Sequence, residues 1–165
     1  MALKDGLIAE LKHEAASTKK LLEKVPTESF AWKPHEKSMT LGRLATHIAQ
    51  TPRWISNIVL QDEFDFAATP LKADVATSHE DLMKIFREIY DKALTDLENT
   101  DPETFYNKWT VKSGEQVYYQ LPKVAAIRGW ACSHLYHHRG QLSVYLRLLD
   151  IPVPGMYGPS ADESM

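Results

Sequence analysis

Apolar residues recur at alternating steps of three and four along four segments of this 165-residue chain. This spacing places them on one face of an α-helix, the face that a helical bundle buries. The segments run from Leu3 to Lys24, from Ser38 or Thr40 to about Ile58, from Ser78 to Asn99 and from Pro122 to Leu149. A chain of this length can bury roughly two-thirds of its unfolded surface in one core. We therefore predict an all-α fold, a four-helix bundle forming a single domain over residues 1–165.

Two local signals refine the helix limits. Pro52 lies inside the second segment and has no N–H for the carbonyl of Ile48, so we expect a kink there or a new helical turn beginning at Pro52. Ser78, followed three residues later by Asp81, resembles a capping box at the start of the third helix. Both signals favour separate, well-defined helices.

Two connections are longer than an up-and-down bundle needs. They span residues 61–77, which include Pro70, and residues 99–121. Within the second, apolar and aromatic residues on both sides of Ser113-Gly114 predict a small β-hairpin over residues 109–119. Long connections permit crossover topology and often carry functional residues.

Two histidines, His134 and His138, occupy inward positions of the fourth helical segment, where Leu or Ile is usual. At a spacing of four residues they lie one above the other on the same helix face, so both rings can reach one ion. Burying imidazoles is unfavourable unless their nitrogens find partners. Metal ligation and hydrogen bonding within the core would both meet this need, and the residues alone leave both interpretations open.

His47 borders the inward face of the second segment, beside Ile48 and one turn from Leu44. Alone it would be an ordinary structural histidine, but the pair needs a third protein ligand and His47 is the remaining inward-leaning histidine. The candidate metal ligands are therefore His47, His134 and His138. Three neutral imidazoles with an open fourth position suit zinc or nickel, with iron or copper as alternatives.

The neighbours of the histidine pair allow further expectations. Gln141 is either a surface residue or a support for the second histidine, and Arg139 is expected on the surface. Gly140, in mid-helix, indicates close approach of another backbone. Cys132 lies about 200° around the helix from the first histidine and should not reach the same ion. A metalloprotease would need Glu directly after that histidine, where this chain has Leu135.

Composition disfavours several classes of protein. The net charge of −3, without a basic block, disfavours nucleic-acid binding. Cys132 is the single cysteine, so neither an intrachain disulfide nor a thiolate-rich zinc site can form. No run of about 18 apolar residues exists for a membrane span, and Lys4, Asp5 and Glu10 interrupt any signal-peptide core. We expect a cytoplasmic protein that does not bind membranes.

A longer pattern surrounds the histidines. The chain carries the run His134-Leu135-Tyr136-His137-His138-Arg139-Gly140-Gln141-Leu142, then Tyr145-Leu146-Arg147, Pro152, Pro154 and Tyr157-Gly158. Together with Thr40–His47 upstream, this pattern resembles the DinB/YfiT-like superfamily over nearly the whole chain. The resemblance implies a four-helix bundle with up-down-down-up topology, long crossover connections and a homodimer. It also implies a three-histidine divalent metal site formed by His47, His134 and His138.

The same resemblance bears on function, because the superfamily includes transferases and isomerases that use bacillithiol or mycothiol. We therefore expect a metal-dependent enzyme, either a hydrolase or a low-molecular-weight-thiol-dependent transferase, with a small-molecule substrate or such a thiol as partner. The metal would lower the pKa of a water or thiol in its open position, to about 7 for zinc-bound water. The sequence leaves the acid–base group open, with these candidates: Asp62, Glu63, Asp65, Asp162 and Glu163. The alternative is a non-catalytic, stress-related metal-binding bundle that acts through ligand or partner binding.

Overall fold

A computed structural model describes residues 2–69 and 74–163, and the predicted loop residue Pro70 lies outside them. The described elements are α1 (Leu3–Leu22), α2 (Leu41–Gln50), α3 (Arg53–Leu60), β1 (Glu63–Asp65), α4 (His79–Asn99), β2 (Lys108–Ser113), β3 (Gln116–Pro122), α5 (Lys123–Ala126), a π-helical segment (Ile127–Cys132) and α6 (Ser133–Leu148). The fold is mostly helical, with the four helical regions that the periodicity predicts. In the described part of the chain, no helix combines the length and apolarity needed to cross a membrane.

Side-chain caps fix the starts of two helices. The Thr40 hydroxyl accepts the N–H of Arg43 at 3.3 Å and caps α2. At α4, the Ser78 hydroxyl accepts the N–H of Asp81 at 3.1 Å. The Asp81 carboxylate then accepts the N–H of Thr77 at 2.9 Å, one residue before the expected partner. The hydrogen bond from the Asp81 N–H to the Ser78 hydroxyl confirms one part of the predicted capping box. The reciprocal hydrogen bond to the Asp81 carboxylate comes from Thr77 instead of Ser78.

The break at Pro52 is confirmed. Helix α2 ends at Gln50 and α3 begins at Arg53, with Pro52 as its cap residue. The carbonyl of Ile48, which proline leaves without its helical donor, accepts the N–H of Thr51 at 3.2 Å instead. Across this tight turn, Arg53 and Trp54 at the start of α3 line the same cleft as His47 of α2.

The all-α prediction is wrong in one respect, because the chain also forms a three-stranded sheet in the order β1-β2-β3. The predicted hairpin is confirmed as the antiparallel pair of β2 and β3, with Val111 opposite Tyr119. Gly114 adopts φ 56° at its turn, a conformation that favours glycine. Strand β1 adds in parallel to β2, with Phe64 opposite Val111. This short strand lacks a pattern of its own, and its pairing comes from the hairpin it meets.

The helical packing divides into two buried apolar clusters. One joins α1, α2, α4 and α6 and includes Leu21, Leu44, Ile48, Leu82 and Leu142. The other joins α3, the sheet and the π-helical segment to parts of α1, α4 and α5 and to the turn at Pro102–Tyr106, and includes Trp54, Ile58, Phe105, Trp109 and Ile127. The two histidine-bearing helices, α2 and α6, share the first cluster, which holds their facing sides in register.

The π-helical segment shifts which residues of the last helix face the core. The Ser133 N–H bonds to the carbonyl of Arg128, five residues earlier, so the helix carries one extra residue in that turn. Beyond it, the buried positions of α6 are Leu135, His138, Arg139, Leu142 and Leu146. His134 itself is half-buried.

Two expectations about individual residues of α6 are wrong. Arg139, predicted on the surface, is 2% exposed. Gly140, predicted to face a close backbone, has no atom from another part of the described chain within 4 Å of the position that a Cβ would occupy. The glycine therefore weakens the helix without a packing reason.

Candidate metal centre

The structure brings His47, from α2, together with His134 and His138, from α6. One ring nitrogen of each lies within 4.8 Å of the other two. The Nε2 atoms of His47 and His134 are 3.0 Å apart. A tetrahedral ion with metal–nitrogen bonds of about 2.0–2.1 Å needs its nitrogens about 3.3–3.4 Å apart. Small ring rotations would reach this spacing, so the three residues fit a single divalent cation.

Local packing fixes the backbone that carries His47. Gly42 packs directly on Phe30, where a Cβ would lie 2.9 Å from ring carbons, so α2 approaches this ring as only glycine allows. The Thr46 hydroxyl donates to the Gly42 carbonyl at 2.7 Å and accepts the N–H of Ala76 at 3.0 Å. These contacts hold α2 against the chain that leads into α4 and leave His47 half-buried at the edge of the core.

Gln141 orients the buried histidine. Its Oε1 lies 2.7 Å from Nδ1 of His138, one helical turn away. An amide oxygen only accepts, so Nδ1 carries the proton and Nε2 keeps its lone pair for an ion. Gln141 is exposed and also supports His138, so both of its alternatives hold together. Burial lowers the pKa of His134, and the backbone of Trp130 opposes this effect. A partner such as Gln141 is typical of a ligating imidazole in a metal site.

The electrostatics keep all three imidazoles neutral at pH 7. Burial lowers the pKa of His47 to about 4, with help from the neighbouring rings of His138 and His134. Burial is also the main cause that lowers the pKa values of His134 and His138. Neutral imidazole is the form that binds metal ions, so the cluster is held in its ligating state.

A cleft of about 280 Å³ opens beside the histidines. The residues that line it include Arg43, His47, Gln50, Arg53, Trp54 and Asp74. His47 belongs to both the cleft wall and the histidine cluster, so a molecule in the cleft would lie next to an ion held by that cluster. The cleft is small and half-open, as suits a small molecule rather than a macromolecule.

The five candidate acid–base residues lie elsewhere: none lines the cleft and none joins the histidine cluster. Each makes a contact that holds a loop or strand. The contacts are Asp62 with Lys123 at 2.8 Å, Glu63 with Lys112 at 2.7 Å, Asp65 with the Gly114 N–H at 3.0 Å, Asp162 with Arg147 at 2.6 Å and Glu163 with the Gly155 N–H at 2.8 Å. These five carboxylates therefore have structural roles in this fold.

The single cysteine and the remaining histidines lie outside the cluster. Among the described residues, Cys132 takes no part in the histidine cluster, and burial raises the pKa of its thiol to about 11. His13, His35 and His137 are exposed. His79 lies at the start of α4, where its ring contacts the carbonyl of Val25 at 3.1 Å. The cluster is thus a nitrogen-only donor set.

The sequence reading missed the charged residues of the cleft. Arg43 could have been found, since it precedes His47 by four residues and so shares its helix face. Arg53 could be placed only after the break at Pro52 was known. Asp74 follows a loop and carries no pattern that would assign it to this site.

Comparisons with known proteins agree with this fold. The sequence model of the DinB family matches residues 2–165. The chain is similar to "Uncharacterized protein YrdA" of Bacillus subtilis (strain 168), with 28% identity over 163 residues, 96% of this chain and 90% of that protein. It is also similar to "Uncharacterized protein YjoA" of the same organism, with 26% identity over 79% of this chain and 80% of that protein.

Two solved structures share the architecture. A DinB-like protein from Bacillus cereus ATCC 10987 superposes with a TM-score of 0.72 at 24% identity, covering 93% of this chain and 97% of its own. The DinB-like YjoA of Bacillus subtilis gives a TM-score of 0.69 at 20% identity, covering 89% and 95%. These likenesses establish the fold. With the family match over nearly its full length, the chain belongs to the DinB family.

Proposed function

We propose that this protein binds one divalent metal ion through His47, His134 and His138 and uses it to act on a small molecule. The observation that carries the proposal is the convergence of three neutral ring nitrogens within 4.8 Å, supplied by two helices. A hydrogen bond between the Nε2 atoms of His47 and His134, which are 3.0 Å apart, would satisfy two of the three rings, whereas one ion would satisfy all three at once.

A divalent cation with three protein ligands supplies a Lewis acid with one coordination position left for water, a thiol or substrate. The residues of this chain prepare that position. Gln141 fixes the tautomer of His138, and burial holds His47 neutral. The reaction we propose is hydrolysis or transfer involving a low-molecular-weight thiol, with zinc or nickel as the metal and iron or copper as alternatives.

The cleft beside His47 favours an enzyme over the alternative, a non-catalytic metal-binding bundle. A purely structural metal is closed off by four protein ligands. Here three histidines form the cluster among the described residues, and a small-molecule cleft borders one of them.

Three broader features complete the proposal. We propose that residues 1–165 form one domain, that its helices follow the up-down-down-up order of the superfamily, and that the protein is a homodimer. The shared cluster of α1, α2, α4 and α6 supports the helix arrangement. On the outer face of α6, Val144 and Leu148 lie one turn apart and are 57% and 58% exposed, which supports an interface. Sedimentation velocity of the purified protein tests the dimer.

The metal content of the protein and its variants tests whether the three histidines bind one ion. Protein purified without a histidine tag and reconstituted with zinc or nickel should carry one equivalent per chain by elemental analysis. His134→Ala and His138→Ala should each abolish stoichiometric binding. The matched control is His137→Ala, because His137 is an exposed histidine on the same helix and should bind metal as the unmodified protein does. Full metal retention by His138→Ala would exclude the site.

Turnover separates the enzyme from the non-catalytic alternative. Activity should be sought with ester, amide and electrophilic substrates, with and without a low-molecular-weight thiol. It should disappear when the metal is removed and return when the metal is restored. Metal-bound protein that turns over none of these substrates would favour the binding role.

A further inference from the structure

Among the described residues that line the cleft beside His47, positive charge exceeds negative charge. Its lining includes two guanidinium groups, of Arg43 and Arg53, and one carboxylate, of Asp74. Arg43 lies one helical turn before His47 on α2, and Arg53 lies in the first turn of α3, after the Pro52 break. The two arginines therefore line the same cleft from two different helices, and His47 of the histidine cluster lines it as well.

Neither guanidinium group forms a salt bridge with a carboxylate within the described part of the chain. Among residues 2–69 and 74–163, the salt bridges include neither Arg43 nor Arg53. Asp74 is close enough to Arg53 to act on its charge, while burial lowers the pKa of Arg53. Arginine stays charged despite such a shift. Arg53 is half-buried, and its charge is costly without a bonded carboxylate unless a ligand supplies the partner, whereas Arg43 is exposed and free to reach into the cleft.

The remaining lining of the cleft is largely apolar. Met39, Trp54 and Val75 contribute to it, and Gln50 closes one side by donating from Nε2 to the Asp74 carbonyl at 3.2 Å. A volume of about 280 Å³ is near the lower limit for small-molecule pockets. The ligand that fits this cleft is therefore a small molecule with an apolar body and an acidic end.

We propose that Arg43 and Arg53 bind the oxyanion group, carboxylate or phosphate, of a small organic substrate whose apolar part packs on Trp54. Paired guanidinium donors match the geometry of both groups. This inference rests on the proposed function, since it places the substrate next to the ion held through His47. It assigns Arg43 and Arg53 to substrate specificity and gives the site a preference for anions over neutral molecules.

Three probes of similar shape test this proposal: phenylacetate, phenyl phosphate and the neutral phenylacetamide. Binding is measured by calorimetry and by protein NMR, on zinc-loaded and on metal-free protein. At least one anion should bind about tenfold more tightly than the amide, as expected for a charge-assisted hydrogen bond. The preference should remain without zinc, because the arginines rather than the metal cause it. The tighter of the two anions identifies the head group.

Variants separate the arginines from general charge effects. Arg43→Gln and Arg53→Gln should each weaken anion binding by about tenfold. They should leave amide binding and zinc content unchanged. The control is Arg87→Gln, since Arg87 is an exposed arginine of α4 outside the cleft and should not alter anion binding.

Equal affinity for all three probes would overturn the proposal. A loss of anion affinity in Arg87→Gln as large as that in Arg43→Gln and Arg53→Gln would overturn it as well. An anion preference confined to zinc-loaded protein would also overturn it, because the metal would then be the anion site. If the unmodified protein bound no zinc at all, the proposed function would fail instead. That result is distinct, since the probe series on metal-free protein would still report on the arginines.

Discussion

Replacing Arg139 with leucine would remove one half of a buried ion pair that joins α6 to α1. The Nη2 atom of Arg139 lies 2.6 Å from Oε2 of Glu14, and their side chains are 2% and 10% exposed. Nη1 also donates to the Glu14 carbonyl at 3.1 Å and to the Thr18 hydroxyl at 3.3 Å. The Tyr157 hydroxyl donates to the same carboxylate at 3.0 Å and ties the C-terminal segment to this pair. Loss of Arg139 would leave Glu14 as a buried charge without its cationic partner.

The expected cost of Arg139→Leu is about 3–5 kcal/mol of unfolding free energy, because one buried charge would keep its desolvation penalty and lose its compensation. Replacing both partners, with Glu14→Gln and Arg139→Leu, should cost less than Arg139→Leu alone. The matched control is the exposed pair of Lys12 and Glu98, at 3.2 Å with side chains 52% and 45% exposed. Lys12→Leu should change the free energy by less than about 1 kcal/mol.

Urea denaturation followed by circular dichroism measures these differences, with all proteins compared at one concentration and metal content. The unfolding midpoint should fall sharply for Arg139→Leu and recover in part in the double variant. A loss below 1 kcal/mol, equal to that of the Lys12 control, would refute the reasoning, since it would mean that the buried pair is as weak as a solvated one. A double variant less stable than Arg139→Leu would refute it as well.

The remaining predictions concern the site and two glycines. Gln141→Leu should lower metal affinity about 10–100-fold, by loss of the partner that orients His138, and calorimetric titration would show no change if that role were wrong. Metal-free protein should lose stability as the pH falls from 6.5 towards 4, because the pKa of His47 is lowered to about 4 in the folded state and the unfolded chain binds the proton first. In His47→Gln, the urea midpoint should depend less on pH across this range. The same pH dependence in the variant would show that His47 does not cause it. Gly42→Ala should destabilise the protein by about 1–3 kcal/mol, because the added Cβ would meet the ring of Phe30. Gly140→Ala should stabilise it by up to about 1 kcal/mol, because no packing contact opposes the better helix former. Thermal unfolding measures both changes, and a stabilising Gly42→Ala or a destabilising Gly140→Ala would disprove the packing described for that glycine.

The sequence was sufficient for the helices and for naming the three histidines. Apolar periodicity is a local property, so it predicted the four helical regions, and proline chemistry predicted the break at Pro52. The inward histidines followed from the same periodicity, because polar rings on an inward face require partners. Their convergence required α2 and α6 to be neighbours, which apolar spacing does not determine and only the family resemblance implied.

What the sequence could not predict depends on contacts between distant residues. Arg139 and Glu14 are each polar, and single-residue polarity predicts exposure; their burial becomes favourable only once α1 and α6 pair them. Strand β1 is too short to carry a pattern and takes its conformation from parallel pairing with β2. The π-helical segment adds one residue to a turn, a shift in hydrogen bonding that apolar spacing does not reveal.

A crystal structure of zinc-loaded protein, with anomalous data at the zinc edge, would show whether the three histidines hold one ion. We expect one strong anomalous peak per chain, about 2.0–2.1 Å from a ring nitrogen of each of His47, His134 and His138. A coordination position should remain open towards the cleft. A peak bound elsewhere, or three rings that stay hydrogen-bonded to one another at full zinc occupancy of the protein, would contradict this expectation.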